Sequence, residues 1–212
     1  MLKINEIYAS IQGESSHTGL PCVFIRLTGC NLRCSWCDTA YAFYDGKNLT
    51  VEETLQKVET FGLPLVEITG GEPLLQEDVY PLMETLLKKG YRVMLETSGA
   101  LPIDKVPEKV IKILDIKCPG SGEEKKNHLE NLKFLSPHDE VKFVLLDRAD
   151  YEWSRNMLRK YDMVPSKQVL FSPVYDKLNL KDLSQWILKD RLAVRLQTQL
   201  HKVIWSKDAI GV

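Results

Sequence analysis

Two patterns of hydrophobic residues alternate along the chain. Short apolar runs predict buried strands, whereas apolar residues that recur every three or four positions predict amphipathic helices. The predicted strands are Val23–Thr28, Leu65–Thr69, Arg92–Thr97, Ile111–Ile116, Glu140–Leu146, Gln168–Ser172 and Ala193–Leu196. The predicted helices are Thr50–Phe61, Tyr80–Lys89, Asp150–Tyr161 and Leu180–Leu188. We expect further helices in the connections between Arg92 and Leu146.

Alternation of strands and helices is typical of a parallel sheet with right-handed crossover connections. About six such units fit into 212 residues, whereas a closed eight-stranded barrel typically needs about 250. We therefore predict an α/β fold in one domain, residues 1–212, built as a partial, open parallel (β/α)6-like barrel. Functional side chains are then expected at the C-terminal ends of the strands.

The composition limits which classes of partner and which cellular compartments are expected for the protein. Lys and Arg number 28 and Asp and Glu 29, a formal net charge of -1, so no basic excess favours nucleic-acid binding. Apolar runs reach about five residues, far short of the roughly 20 of a transmembrane helix. The N-terminal segment lacks the apolar stretch of a secretory signal. We expect a cytoplasmic protein with a small-molecule partner.

Three of the five cysteines lie within eight residues, directly after the first predicted strand. Cys30, Cys34 and Cys37 have the spacing C-x3-C-x2-C. A structural zinc site needs four ligands, and no second cysteine pair is present. A four-iron, four-sulfur (4Fe-4S) cluster held by three cysteines would keep one iron open for a ligand, which favours a catalytic cluster. Three unrelated core cysteines, or zinc, remain the alternatives; the other possible zinc ligands are His17, Cys22 and Cys118.

The cysteine spacing, with Trp36 before the last cysteine, resembles the signature of the radical S-adenosylmethionine superfamily. The segment Ile68–Pro73, ITGGEP, resembles the GGEP motif that borders the methionine end of S-adenosylmethionine in that superfamily. The resemblance implies that fold type, a 4Fe-4S cluster on the three cysteines, and S-adenosylmethionine as cofactor. The cofactor contacts that it implies are Trp36, Cys37, Asp38, Gly71, Glu72, Ser98, Lys117, Ser172, Pro173, Val174 and Tyr175.

Further motifs are similar to those of one family, the 7-carboxy-7-deazaguanine synthases. They are the IQGE segment at Ile11–Glu14, an arginine (Arg26) inside an apolar strand, Cys-Asp-Thr ending at Thr39, and QTQLHK at Gln197–Lys202. The substrate contacts that the resemblance implies are Ile11, Gln12, Gly13, Glu14, Arg26, Thr69, Gln197 and His201. It also implies Thr39 as a Mg²⁺ ligand.

Each of these residues has an ordinary structural alternative. Arg26 would serve equally in an internal ion pair, and Trp36 in the core. Thr39 would serve as a turn cap, and His201 as a structural hydrogen-bonding residue.

The resemblance implies a complete activity. Members of the family convert 6-carboxy-5,6,7,8-tetrahydropterin to 7-carboxy-7-deazaguanine by a radical ring contraction that releases ammonia, in queuosine and deazapurine biosynthesis. The expected partners are the pterin, an external one-electron donor such as flavodoxin or ferredoxin, and a second copy of the chain in a homodimer. The alternatives are a glycyl-radical-enzyme activase of the same superfamily and a non-enzymatic iron–sulfur or zinc module.

Overall fold

A computed structural model describes residues 1–164, 167–206 and 209–211. Its strands are β1 (Leu2–Ile11), β2 (Pro21–Leu27), β3 (Lys47–Leu49), β4 (Leu65–Gly70), β5 (Arg92–Thr97), β6 (Ile111–Asp115), β7 (Glu140–Leu145), β8 (Gln168–Pro173) and β9 (Arg195–Leu196). Its helices are α1 (Val51–Glu59), α2 (Val79–Lys88), α3 (Arg148–Lys160), α4 (Leu180–Asp190) and α5 (Leu200–Ile204).

All of these strands belong to one sheet, in the order β3-β1-β2-β4-β5-β6-β7-β8-β9. From β2 to β9 every pairing is parallel, whereas β1 runs antiparallel to both β2 and β3. In the described part of the chain the two edge strands, β3 and β9, are not paired with each other, so the sheet stays open. The predicted open, partial α/β barrel is confirmed.

The two faces of the sheet differ in chemistry because successive side chains of a strand point to opposite faces. On the outer face, β2 contributes Val23, Ile25 and Leu27 to the main hydrophobic core, where α2 packs against β5 and α3 against β7. On the inner face, Phe24 belongs to a much smaller apolar cluster, and Arg26 lines a cavity. The inner face is therefore the place for polar chemistry.

The four predicted helices are present as α1 to α4, and each helix end lies within two residues of its predicted position. Helix α1 begins after Thr50, whose Oγ1 accepts a hydrogen bond from the Glu53 amide at 3.1 Å while the Glu53 carboxylate accepts one from the Thr50 amide at 2.7 Å. This reciprocal capping box fixes the helix start. No helix in the described ranges combines the length and apolar character needed to cross a membrane.

The prediction of helices in the connections from β5 to β7 is wrong. Residues 98–110 form turns, and residues 116–139 contain only short 3-10 turns at Pro119–Ser121, Glu124–Lys126 and Leu129–Phe134. Pro102, Pro107 and Pro119 interrupt these connections, and proline removes a helical hydrogen bond and clashes with the preceding turn. The chain therefore crosses from strand to strand without α-helices here.

Strand β1 was not predicted, and β9 is shorter than expected. The long β1 pairs with β2 from Ile4 to Ile11 and returns the chain to the N-terminal end of β2. As a result the loop of residues 12–20 lies at the end of the sheet opposite to the cysteine loop.

Candidate active site

A cavity of about 890 Å³ lies against the inner face of the curved sheet. Side chains of β2, β4, β5, β6, β7 and β8 line it, together with the cysteine loop at one end and the loop after β1 at the other. Most residues predicted for the site share this cavity: Ile11, Gln12, Gly13, Glu14, Arg26, Cys30, Cys34, Trp36, Cys37, Asp38, Thr39, Thr69, Gly71, Ser98, Lys117, Ser172, Pro173, Val174, Tyr175 and His201. Two do not line it, Glu72 and Gln197.

The cysteine loop follows β2 and is held by a neighbouring loop. Ser35 donates from its amide to the Ser121 carbonyl at 3.0 Å, and the Arg33 amide donates to Glu123 Oε1 at 2.6 Å. Cys30, Cys34 and Cys37 are all free thiols. Burial raises the pKa of the Cys30 and Cys34 thiols, and nearby Lys117 opposes that rise.

These residues fit an iron–sulfur cluster. Thiolates are the ligands that such clusters use, and all three cysteines face one cavity. Gly71 brings the β4 turn against the loop: a Cβ there would meet the Gly29 carbonyl oxygen and would lie 2.7 Å from Cys30 Cβ. Only glycine allows this approach. Within the described residues, no group of three His, Cys, Asp or Glu side chains is arranged to hold a single metal ion.

Glu72 lies behind the cavity wall. Its fully buried carboxylate accepts hydrogen bonds from Thr97 Oγ1 at 2.9 Å, from the Ser98 amide at 2.7 Å and Ser98 Oγ at 2.6 Å, and from the Leu74 amide at 3.0 Å. It therefore joins the end of β4 to the end of β5 and positions Ser98, which does line the cavity.

Asp115 is the last residue of β6, and Lys117 follows the strand. Lys117 Nζ pairs with Asp115 Oδ2 at 2.9 Å. Burial would lower the pKa of Lys117, but Asp115 outweighs it and raises that pKa overall. Asp115 Oδ1 is buried and has no hydrogen-bond partner among the described residues. Since buried polar atoms are normally paired, this oxygen suits a donor from a bound molecule.

Lys142 is the centre of a buried charge cluster. Its ammonium group contacts Glu14 Oε2 at 3.0 Å, Glu96, and Asp115 Oδ2 at 3.7 Å. Burial disfavours the charged ammonium, but the carboxylates, Glu14 foremost, raise the pKa of Lys142 well above its usual value. Burial likewise raises the pKa of Glu14, yet Lys142 lowers it overall, so that Glu14 is an ionised acceptor.

Glu67 projects from the middle of β4 into the same cavity. Its carboxyl group is bonded to the side-chain amide of Gln12. Burial, with Glu96 and Glu14 adding to it, raises the pKa of Glu67 well above its usual value.

Arg26 is part of a second polar cluster, at the side of the cavity. Its Nε donates to Glu6 Oε1 at 2.7 Å and its Nη2 to Tyr8 Oη at 3.0 Å, while Tyr41 Oη donates to the same Glu6 oxygen at 2.8 Å. The guanidinium therefore has the internal ion pair that was the alternative to substrate binding, and it also lines the cavity.

The chain's C-terminal segment covers the loop after β1. The Leu200 amide donates to the Gly13 carbonyl at 3.0 Å, and a Cβ at Gly13 would collide with His201 Nδ1. Gln197 donates to Glu14 Oε2 at 3.1 Å and accepts from the Ser15 amide at 2.7 Å. Gln197 thus acts on the cavity through Glu14. Burial lowers the pKa of His201, which favours the neutral imidazole.

Thr39 and Asp38 lie at the edge of the cavity. Thr39 Oγ1 donates to Asp38 Oδ1 at 3.0 Å, and Asp38 Oδ2 accepts from Lys202 Nζ at 2.8 Å and Gln199 Nε2 at 3.1 Å. Hydroxyl and carboxylate oxygens are the ligands Mg²⁺ uses, with waters and substrate oxygens completing the shell. Asp38 is already paired with Lys202, whereas the Thr39 hydroxyl, which only donates here, keeps its oxygen lone pairs for a magnesium ion shared with a substrate.

Sequence reasoning missed several cavity residues: Tyr8, Tyr41, Glu67, Lys142, Gln199 and Lys202. It also missed Glu6, which does not line the cavity but pairs with Arg26. A signal was present for Glu67 and Lys142. Each is a charged residue inside an otherwise apolar run, the same pattern that singled out Arg26, and each occupies an inner-face position of its strand.

Comparison with known proteins gives matches over the full chain. A family model described as the radical SAM (S-adenosylmethionine) superfamily matches residues 24–119, which include the cysteine loop and the Gly70–Gly71 turn. A protein named 7-carboxy-7-deazaguanine synthase from Koribacter versatilis is 48% identical over 100% of both chains. Its namesake from Chlorobaculum tepidum is 44% identical over 100% of this chain and 97% of that one. Another, from Thermoplasma acidophilum, is 33% identical over 99% of each chain.

Solved structures share the fold. The crystal structure of QueE from Escherichia coli covers 94% of each chain with a TM-score of 0.77 at 24% identity. The structure of Streptococcus suis SuiB bound to S-adenosylmethionine covers 81% of this chain and 45% of that one, with a TM-score of 0.57 at 14% identity. At these identities the likeness concerns the fold alone.

Proposed function

The chain belongs to the 7-carboxy-7-deazaguanine synthase family of the radical S-adenosylmethionine superfamily, and we propose that it catalyses that family's reaction. It contracts the ring of 6-carboxy-5,6,7,8-tetrahydropterin to 7-carboxy-7-deazaguanine and releases ammonia, as a step of deazapurine biosynthesis. The observation that carries the proposal is the meeting of three free thiols and a ring of polar side chains in one cavity of about 890 Å³. The whole chain, residues 1–212, acts as one domain.

Cys30, Cys34 and Cys37 would hold the 4Fe-4S cluster. The cluster and S-adenosylmethionine, when bound, supply the carbon-centred radical that removes hydrogen from the substrate. The chain's own residues bind and orient the cofactor and the substrate. Backbone groups at Gly71 and the hydroxyl of Ser98 offer contacts to the cofactor, and Lys117 keeps a positive charge beside the cluster site. The other proposed cofactor contacts are Trp36, Asp38, Ser172, Pro173, Val174 and Tyr175.

The opposite end of the cavity suits the pterin. Glu14, ionised by Lys142, accepts hydrogen bonds from amino and ring N–H groups. Gln12 presents a side-chain amide, which both donates and accepts. Arg26 lines the cavity, and it can bind the substrate carboxylate through guanidinium N–H groups other than those that Glu6 and Tyr8 occupy. Contacts from Ile11, Gly13, Thr69 and His201 complete the pocket, and Gln197 holds Glu14.

Magnesium binding by Thr39 belongs to the same proposal. Thr39→Ala should weaken the dependence of the rate on Mg²⁺ while the iron content of the protein stays unchanged, because Thr39 is not a cluster ligand. A titration of the rate with Mg²⁺ checks this. An unchanged titration curve would remove Thr39 from the magnesium site.

The remaining partners follow from the chemistry. The reaction needs a one-electron donor, such as a flavodoxin or a ferredoxin, and a cytoplasmic location would keep the three thiols reduced. Exposed apolar residues on α4 and α5, Leu188 at 75% and Val203 at 70% exposed, would suit the interface of a homodimer.

The proposed function is tested by anaerobic reconstitution with iron and sulfide. The protein is then incubated with S-adenosylmethionine, dithionite, Mg²⁺ and the carboxytetrahydropterin, and 7-carboxy-7-deazaguanine is sought by mass spectrometry. We expect product from the wild-type protein and none from Cys34→Ala. Release of 5′-deoxyadenosine without product would keep the radical chemistry but reject the substrate. An intact cluster that yields neither compound would favour a non-enzymatic iron–sulfur module.

A further inference from the structure

Glu67 is a buried acid that the proposed chemistry does not yet use. Its side chain is 3% exposed and lines the cavity midway along β4. Gln12, from the loop after β1, donates its side-chain amide to one carboxyl oxygen. The ionisable groups that influence it are Glu14, Glu96, Lys142, Arg26, Cys22 and Tyr8.

Acids outnumber cations around this cavity. Along the inner face of the sheet, the end of β6 and the loop after β1, four of its carboxyl groups, those of Glu14, Glu67, Glu96 and Asp115, accompany three cations, Arg26, Lys117 and Lys142. Each cation has a salt-bridge partner: Arg26 pairs with Glu6, Lys117 with Asp115, and Lys142 with Glu14.

Glu67 has no such partner. Over the described ranges, it is the one of these four carboxyl groups that forms no salt bridge. An ionised carboxylate without a cation is costly in an enclosed site, so this one keeps its proton. Desolvation raises the pKa of Glu67, and the adjacent carboxylates of Glu96 and Glu14 raise it further, so both effects favour the protonated form.

A protonated carboxyl group adds a hydrogen-bond donor to a site built mainly of acceptors. The Lys142 ammonium is directed at carboxylates, and ionised Glu14 only accepts. A pterin-like heterocycle presents acceptor atoms, a carbonyl oxygen and ring nitrogens, as well as donors. An acceptor edge buried against carboxylates alone would stay without hydrogen bonds, which weakens binding.

We propose that Glu67 is a substrate-contacting residue whose neutral carboxyl group donates a hydrogen bond to an acceptor atom of the bound heterocycle while its other oxygen holds Gln12. The inference rests on the proposed function, because it takes the carboxytetrahydropterin as the occupant of the cavity. It makes Glu67 a specificity-determining residue for heterocycles that carry an acceptor at that edge.

Two substitutions separate this role from a structural one. Glu67→Gln keeps the size, an N–H donor and an oxygen acceptor, whereas Glu67→Leu removes both. Glu84→Gln is the control, because it makes the same chemical change at an exposed acid of α2 that pairs with Lys88 and does not line the cavity. Circular dichroism and iron content check that each variant folds and loads its cluster.

The first readout is equilibrium binding of the carboxytetrahydropterin without reductant, so that no turnover occurs. We expect Glu67→Leu to raise the Kd at least about tenfold, and Glu67→Gln and Glu84→Gln to stay within about threefold of wild type. Equal affinity of Glu67→Leu and wild type would overturn the proposal. If Glu67→Leu does not fold, the pH comparison of wild type with Glu67→Gln decides instead.

The second readout is the pH dependence of that Kd. The wild-type Kd should rise in alkaline solution as Glu67 loses its proton, whereas the Kd of Glu67→Gln should rise less, since an amide does not ionise. Identical pH profiles would contradict a neutral carboxyl donor. If wild type binds and converts the pterin but the variants follow wild type throughout, only this proposal fails; if wild type makes no product, the proposed function fails.

Discussion

At the scale of single residues, the raised pKa of Glu67 has a consequence for stability. An unfolded glutamic acid loses its proton around 4.5, whereas folded Glu67 holds its proton to a higher pH. Between those two pKa values the folded state binds more protons than the unfolded state, so stability falls as the pH rises.

Glu67→Gln removes the loss of stability that Glu67 causes at higher pH, because an amide does not ionise. We expect the variant without cluster or ligand to melt at a higher temperature than wild type at about pH 8, and the difference to shrink as the pH falls toward 4.5. Each pKa unit corresponds to ~1.4 kcal/mol, and ~1 kcal/mol moves the Tm of a chain of this size by roughly 2–4 °C. The measured difference therefore reports the size of the shift.

The control for this melting experiment is Glu84→Gln. Glu84 forms an exposed i,i+4 pair with Lys88, at 3.6 Å, which contributes little to stability. The Tm of the Glu84→Gln variant should equal that of the wild-type protein both at about pH 8 and near pH 4.5. A Glu67→Gln protein that melts like wild type, or below it, across the range would show that Glu67 ionises normally in the folded chain.

Arg26 gives a second prediction at this scale. Arg26→Lys keeps the positive charge but loses the planar fork that matches a carboxylate, so we expect the substrate KM to rise about 10- to 100-fold with iron content unchanged. Steady-state kinetics and an iron assay check this. The control is Arg155→Lys, which alters the pair with Asp190, at 2.6 Å, outside the cavity. Loss of iron with an unchanged KM would make Arg26 structural.

Single residues also show where prediction from sequence ends. Cys30, Cys34 and Cys37 were found because their spacing is local and their chemistry is rare. Lys142 and Glu14 are 128 positions apart in the chain, and they meet only because β7 and the loop after β1 reach the same cavity. Contacts of this kind depend on tertiary structure, which the pattern of one segment does not contain.

At the scale of elements, the contact between the turn after β4 and the cysteine loop is the critical one. Gly71→Ala would push a methyl group into the Gly29 carbonyl and Cys30 Cβ. We expect the reconstituted variant to bind much less iron, by severalfold, while its circular dichroism stays like that of wild type, because the clash is confined to the loop.

The control for the loop experiment is Gly62→Asn. Gly62 has a φ of 65° and open space where a side chain would go, and asparagine tolerates this left-handed conformation. It should load iron normally. Full iron loading in Gly71→Ala would mean that the loop does not depend on this close approach.

Elements also differ in how far the sequence determines them. The parallel strands and α1 to α4 carry strong apolar periodicity and were predicted. The connections from β5 to β7 were misjudged because their prolines prevent α-helices, although their lengths leave room for them. Strand β1 alternates weakly and includes Asn5 and Glu6, which gave its pattern little apolar contrast.

At the scale of the whole molecule, the open barrel separates two kinds of chemistry. The cysteine loop and the turns after β4, β5, β6 and β8 meet at one end of the cavity, where cluster and cofactor are proposed to bind. The loop after β1 closes the other end. The C-terminal segment lies along the cavity and joins the two ends, because the Gln199 amide donates to both Glu14 and Asp38. In the proposed reaction, the charged inner face between them would position the substrate against the cofactor.

The most direct test of this account is the yield of product per S-adenosylmethionine consumed. The anaerobically reconstituted protein is given the carboxytetrahydropterin, Mg²⁺ and reductant with limiting S-adenosylmethionine, and 7-carboxy-7-deazaguanine and 5′-deoxyadenosine are both quantified. The account predicts many product molecules for each 5′-deoxyadenosine released, because the proposed reaction would return the hydrogen to the cofactor and so regenerate it. A protein with a loaded cluster that forms 5′-deoxyadenosine but no 7-carboxy-7-deazaguanine would contradict it.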